Sequence, residues 1–384
     1  MTTKSKPKAL QEFSEAAKAI VNPAVQDWMD RGGRVVGYFC SYVPEEIITA
    51  AGILPFRMRA TGSTGTELSD AFFSSTNCSF VRHCMNMGLK GDFSFLDGLI
   101  CINSCDHVRR IYDNWGRKIN TPFLHMISFP RKTGERQVEW LRGELTLFKE
   151  ALEKYLGFEI TDERLWEAIR LHNETRRLQR QLYDLRKREN PPITGAETLA
   201  TMVASTAMPK LRYNQLLREL LQEVSGLLGH CDHSARLMIV GGMLDDPGYL
   251  EVIESQGGLV VTDSLCFGSR VCWADVEEQV GDPMAALAQY HIIDRPACPR
   301  MYGEQPRRAA FIRNMIREFK VDGVIGERIV FCDYWSGEHF LLDKQLKAEG
   351  IPFLRLDREY QLSGIGQLRT RVQAFLESVE GGKQ

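Results

Sequence analysis

One short pattern occurs twice in this chain, once in each half: DGLICINSCD at residues 97–106 and DGVIGERIVFCD at residues 322–333. Each copy opens on Asp-Gly, runs through apolar residues and closes on Cys-Asp. An apolar run of this length, bounded by turn residues and followed by a helical pattern, predicts a buried strand feeding a helix, the unit of a parallel sheet. The flanking text repeats as well. Arg34 to Cys40, Pro44 and AAGILP match Arg236 to Gly242, Pro247 and QGGLVV, while TPFLHM matches IPFLRL. Two sister α/β domains are the expectation. Ligands of open parallel sheets bind outside the carboxyl ends of the strands, so Cys105 and Cys332, at equivalent predicted strand ends, are placed in the crevice between the domains.

The expected organisation is α/β: an N-terminal helical segment over 1–31, a first α/β domain over 32–134, a helical insert over 135–233 and a second α/β domain over 234–384. The insert is read from stretches such as ERLWEAIRLHNETRRLQRQLYDLRKRE, with apolar residues at helical spacing until Pro191-Pro192. In the first domain, Pro44 followed by Glu45 and Glu46 marks a helix start, since acids in the first turn are favoured by the helix dipole. A loop rich in Gly, Ser and Thr reaches Asn77, and a helix begins at Cys78. The glycines of IVGGMLDDPG do not form a dinucleotide-binding fingerprint, and no phosphate-binding GxxxxGK[ST] loop occurs. Any use of ATP therefore belongs to another subunit.

At 384 residues the chain exceeds one small core, and its formal net charge of −2 makes no case for nucleic acid or an anionic membrane as partner. It has no segment of about 18 uninterrupted apolar residues and no apolar signal region near its start. A soluble, cytoplasmic protein is expected. There are 10 cysteines and no C-x-x-C. In a reducing compartment these are buried thiols, catalytic groups or metal ligands, and a metal would have to gather them from distant segments. Thiolates of Cys105 and Cys332 facing one cleft would suit a soft metal or an iron-sulfur cluster, with Cys78 as a third candidate, because a helix N-terminus lowers thiol pKa. Three thiolates leave one iron of a [4Fe-4S] cube open. Cys40 and Cys266, also at predicted strand ends, have weaker claims, and simple burial is the competing reading for every cysteine.

Five ordered motifs, GYFCSYVPEEIITAAGILP, TNCSFVRHC, INSCDHVRR, DGVIGERIVFCD and GQLRTRVQAFLE, together resemble the benzoyl-CoA reductase / 2-hydroxyacyl-CoA dehydratase family over nearly the whole chain. The resemblance implies two flavodoxin-like domains and a [4Fe-4S] cluster held by Cys78, Cys105 and Cys332. TNCSFVRHCMNMG and INSCDHVRRIYDNW are most similar to the smaller of the two catalytic subunits of ATP-dependent benzoyl-CoA reductase. That similarity implies reduction of an aromatic acyl-CoA to a cyclic dienoyl-CoA. It also implies a homologous cluster-binding subunit, ATPase activator subunits and ferredoxin as partners. Two alternatives stand beside it: a 2-hydroxyacyl-CoA dehydratase subunit, and a non-catalytic iron-sulfur electron-transfer protein of the same fold. Around the expected cluster, Arg82, His107 and Glu338 lie about one turn past the three cysteines. Arg109 and Arg110 are placed either beside the cluster or coenzyme A phosphates, or on a solvated helix face. Glu45 is expected near the acyl-CoA pocket, and Gln367 and Arg371 as packing or contact residues of a C-terminal helix.

Overall fold

The computed structural model describes residues 7–278 and 281–382. Its core is a pair of four-stranded parallel sheets. The first contains β1 (Val35–Tyr38), β2 (Leu54–Arg57), β3 (Gly98–Ile102) and β4 (Phe123–Ile127), in the order β2-β1-β3-β4. The second contains β5 (Ala235–Gly241), β6 (Gly258–Ser264), β7 (Gly323–Ile329) and β8 (Phe353–Arg358), in the order β6-β5-β7-β8. The sequence repeat is thus a repeat of topology. In each sheet the chain steps outward to one neighbour and then crosses to the other side, so the winding reverses between β1 and β3 and between β5 and β7. That reversal opens a crevice at the carboxyl edge.

Strand β3 is buried at every position, yet its side chains still alternate between two cores. Ile100 and Ile102 join Val36 and Tyr38 against Leu141, Leu145, Phe148 and Leu152 of the helix Glu135–Leu156. Leu99 and Cys101 face the other way, toward the helices Ser79–Lys90 and Asp106–Lys118 and the buried Trp115. Helix Glu135–Leu156, grouped by sequence with the insert, therefore covers a face of the first sheet. In the second sheet Met238, Val240 and Val324 pack against Ile312 and Met315 of Gln305–Glu318 and Leu342 and Leu346 of Asp333–Ala348. Val372 and Phe375 of the helix Ile365–Gly381 lie on the opposite face.

The long helix Asp162–Leu185 joins the two sheets. His172 makes a 2.9 Å hydrogen bond with Thr49 of the first domain, and Tyr183 packs in the second domain's core. The N-terminal helix Lys8–Lys18 is sealed against Tyr213, Leu217 and Leu220 of the helix Lys210–Ser225. Among the described residues no helix is long and apolar enough to cross a membrane.

Both Cys-Asp strands end earlier than the apolar runs suggest. β3 stops at Ile102 and β7 at Ile329, and a three-residue turn carries the chain from each strand into the next helix. The Ser104 N–H donates to the Ile102 carbonyl at 2.7 Å, and the Cys332 N–H to that of Ile329 at 3.0 Å. Phe331 takes a φ of +68° to make the second turn, a conformation that a bulky side chain rarely adopts.

Candidate metal centre and cleft

Three cysteines occupy the same kind of position. Cys78 is the N-cap of Ser79–Lys90, Cys105 of Asp106–Lys118 and Cys332 of Asp333–Ala348. All three line one cavity of about 370 Å³ at the facing carboxyl edges of the sheets, together with Cys40, Cys266 and Cys298. Three helix N-termini, each presenting unpaired N–H groups and the positive end of a dipole, therefore converge on that space. The Cys105 Sγ already accepts the N–H of Val108 at 3.4 Å.

His107 ties the three segments together. Its Nδ1 accepts from the Asn77 side-chain amide at 3.0 Å and from the Cys78 N–H at 3.4 Å, which leaves Nε2 as the protonated nitrogen, 3.2 Å from the Phe331 carbonyl. One imidazole on the Cys105 helix thus holds the turns that carry Cys78 and Cys332. The Tyr334 hydroxyl adds a second link between domains, donating to the Ser104 carbonyl at 3.1 Å.

Burial raises Cys78 to about 12 and Cys105 to about 11, and lifts Cys332 further above the ordinary thiol value; the neighbouring thiols push Cys78 and Cys332 the same way. The walls, by contrast, carry guanidinium groups with no carboxylate hydrogen-bonded to them. Arg57, only 2% exposed, donates to the Cys266 carbonyl at 2.5 Å and Sγ at 2.9 Å and stacks 3.5 Å from the Phe267 ring centre. Arg270 donates to the Ser264 carbonyl at 2.9 Å and lies over Trp335. Among the described residues, Arg57 Nε and the Nε and Nη2 of the nearby buried Arg300 have no hydrogen-bond partner. Buried cations of this kind call for an anionic occupant.

Among the described residues no group of three or more His, Cys, Asp or Glu is close enough to hold a single metal ion. Thiols spread around a cavity, at helix N-termini and beside buried guanidiniums, instead suit a polynuclear centre whose separate metal atoms each take one thiolate. The donor set fits a thiolate-held iron-sulfur cluster.

Other residues singled out from sequence stand elsewhere. Arg82 turns away to Asp70, at 2.6 and 3.0 Å, and to Thr66 at 3.0 Å. Glu338 is buried in a two-pronged pair with Arg308, at 2.8 and 2.9 Å. Arg109 pairs with Asp106 at the surface, and Arg110 is exposed. Gln367 and Arg371 are exposed on the C-terminal helix, Arg371 donating to the Arg355 carbonyl at 2.6 Å.

Glu45 lies behind the cleft, in a second, smaller chamber that shares Ser41, Arg57 and Cys266 with the first. Its Oε1 accepts from the Tyr38 hydroxyl at 2.5 Å and its Oε2 lies 2.8 Å from Lys210. Glu46 pairs with Arg176 in the same chamber. Burial alone would raise both carboxyls, but Lys210 beside Glu45 and Arg176 beside Glu46 hold them below the ordinary range. Burial drives His172 and His291 well below the usual imidazole value, so both are neutral. Sequence reasoning missed Arg57 and Arg270. The available signal for Arg57 was a lone arginine inside the apolar run ILPFRM, every strand residue of which is buried.

Comparison with known proteins identifies the family. The family described as 2-hydroxyglutaryl-CoA dehydratase, D-component, matches residues 40–379. The (R)-phenyllactyl-CoA dehydratase beta subunit of Clostridium sporogenes is 26% identical over 96% of this chain and 98% of its own length. A subunit of the benzoyl-CoA reductase of Thauera aromatica is 26% identical over 93% of this chain and 94% of its own. The (R)-2-hydroxyglutaryl-CoA dehydratase subunit beta of Acidaminococcus fermentans is 24% identical over 97% and 99%. These relatives are subunits of larger enzymes, and they include both dehydratases and a reductase. With nearly its whole length matched, the chain belongs to the 2-hydroxyglutaryl-CoA dehydratase, D-component, family.

Proposed function

We propose that this chain is the cluster-holding subunit of an enzyme that acts on acyl-CoA thioesters, with Cys78, Cys105 and Cys332 as the thiolate ligands of a [4Fe-4S] cluster. The observation that carries the reading is the convergence of three cysteine-capped helix N-termini on one cavity walled by buried guanidiniums. When bound, the cluster would supply a low-potential electron and an open iron for the thioester oxygen. The chain's own part is to exclude water, to offset the cluster's negative charge with Arg57 and Arg270, and to fix the three turns through His107.

Of the two reactions among the relatives, dehydration of a 2-hydroxyacyl-CoA is the better match. The cleft shares Ser41, Arg57 and Cys266 with a chamber of charged donors. A substrate with a polar acyl group can satisfy them, whereas a benzoyl ring leaves them unpaired. Benzoyl-CoA reduction, the reaction expected from sequence, is the second reading. It is favoured by the aromatic lining of the outer cavity, where Phe39, Tyr42, Phe80 and Trp335 stand. In either case a homologous subunit, an ATPase activator and a reductant such as ferredoxin would complete the enzyme.

The test is anaerobic purification with the partner subunit, assay of iron and acid-labile sulfide, and turnover of benzoyl-CoA and a 2-hydroxyacyl-CoA with activator, ATP and reductant. Dehydration without ring reduction is expected. Ring reduction would establish the second reading. A cluster-loaded complex with no saturable affinity for either thioester would make the protein an electron carrier, and iron-free protein would remove the cluster assignment.

A further inference from the structure

The chamber behind the cleft has an unbalanced charge. Four cationic side chains line it, Arg57, Arg176, Lys210 and Arg295, against two carboxylates, Glu45 and Glu46. Lys210 is matched by Glu45 and Arg176 by Glu46. Neither remaining guanidinium has a carboxylate hydrogen-bonded to it. Arg57 donates to the Cys266 Sγ at 2.9 Å, and that Sγ lies 3.0 Å from the Gly242 carbonyl. Arg295, 3% exposed, donates to the Ser41 carbonyl at 2.6 Å and Oγ at 3.3 Å, approaches His291 Nδ1 at 3.3 Å, and stacks 4.0 Å from the Tyr42 ring centre.

Among the described residues, Arg57 Nε, Arg295 Nε and His291 Nε2 have no hydrogen-bond partner, and all three side chains are more than nine-tenths buried. His291 Nδ1 faces the Arg295 guanidinium, which can only donate, so Nδ1 accepts and Nε2 carries the proton. The residues that carry these three orphaned donors line one space of about 50 Å³, and Arg295 brings to it a charge that neither a carboxylate nor the cleft's occupant offsets. A volume of this size takes roughly three to five waters. It suits a carboxylate and is too small for an aromatic ring.

We propose that this chamber binds a carboxylate-sized anion, held by Arg57, Arg295 and His291. Ser41, Arg57 and Cys266 belong to the walls of both cavities, so the anion has two sources: the far end of an acyl group whose thioester lies in the cleft, or a free small anion. The first source rests on the acyl-CoA reading above; the second does not.

The test is titration calorimetry of the purified complex with succinyl-CoA, with butyryl-CoA of the same chain length, and with acetate. If the acyl chain supplies the anion, succinyl-CoA binds about tenfold more tightly than butyryl-CoA, as one charge-assisted contact allows, and Arg295→Gln removes the difference while butyryl-CoA binding stays. If the anion is free, acetate binds saturably, the two thioesters bind alike, and Arg295→Gln abolishes acetate binding. Equal thioester affinities with no acetate binding overturn the proposal and leave the thioester reading intact. Acetate binding without affinity for either thioester does the reverse. Arg295 is packed on Tyr42, so folding of the variant is checked by its thermal melt, with Arg295→Lys as the milder change; the wild-type comparison decides the matter even if both variants unfold.

Discussion

The His107 imidazole lies 3.2 Å from the main-chain carbonyl of Phe331, across the boundary between the two sheets and one residue before Cys332. On its other side the same ring accepts the Cys78 N–H. A single side chain therefore sets the spacing of two cysteine-bearing turns relative to a third.

Replacing His107 tests that role in protein without cluster. Each hydrogen bond is worth about 1 kcal/mol, roughly a fivefold change in a local opening equilibrium. In His107→Ala, alkylation of both Cys78 and Cys332 is expected to speed up about fivefold. His107→Asn keeps an acceptor near Cys78 but cannot reach Phe331, so only Cys332 should react faster. Unchanged rates in both variants would contradict the role.

Serine at Cys78, Cys105 or Cys332 replaces a soft ligand with a hard, weakly ionised one. Each variant is expected to lose most of its iron and acid-labile sulfide after anaerobic reconstitution. Cys84→Ala is the control, because Cys84 is fully buried in the first domain's core. Full iron content in any of the three serine variants would remove that residue from the ligand set.

His339 gives the protein an acid-sensitive component of stability. Burial lowers its imidazole from 6.5 to about 4, and its Nε2 donates to the Val240 carbonyl at 3.1 Å. Because the folded value lies below the unfolded one, the contribution is full above the unfolded pKa and lost as the pH falls through 6.5 toward 4. Between pH 7 and pH 5 the loss is about 2 kcal/mol for this residue, with His172 and His291 adding in the same direction. Urea denaturation at the two pH values measures it, and His339→Gln should flatten the dependence. An unchanged slope in that variant would assign the acid sensitivity elsewhere.

Breaking the Arg308–Glu338 pair should cost stability and nothing more direct. Glu338→Ala leaves a buried guanidinium without its carboxylate, a loss of about 3–5 kcal/mol, and Arg308 also anchors the loop before it through the Cys298 and Met301 carbonyls at 3.3 and 3.1 Å. A lower thermal midpoint with normal iron content per folded protein is expected. Loss of iron without loss of stability would return Glu338 to the site.

The twin sheets were legible because the repeat DGLICINSCD / DGVIGERIVFCD sits on the strand that crosses to the other side of each sheet. The turns were not. Val330 and Phe331 are strand-favouring residue types, and nothing in a phenylalanine announces a positive φ, so the strand was expected to run on to Cys332. The true partners of Glu338 and Arg82 were hidden for a different reason. Their charges are met by Arg308 and Asp70, residues brought close only by packing. Arg57 was hidden by its company: in ILPFRM the apolar neighbours describe the strand, and only the folded sheet edge reveals which cavity the guanidinium enters.

The third cysteine-capped turn follows β7, and β7 is flanked by β5 and β8. During synthesis the first sheet can form while Cys332 is still untranslated, because domains fold in order as they emerge. Two sulfur donors then wait on an incomplete rim. A centre that needs all three could be installed only once β7 and the turn after it have emerged, so its assembly would follow the folding of the first sheet rather than accompany it.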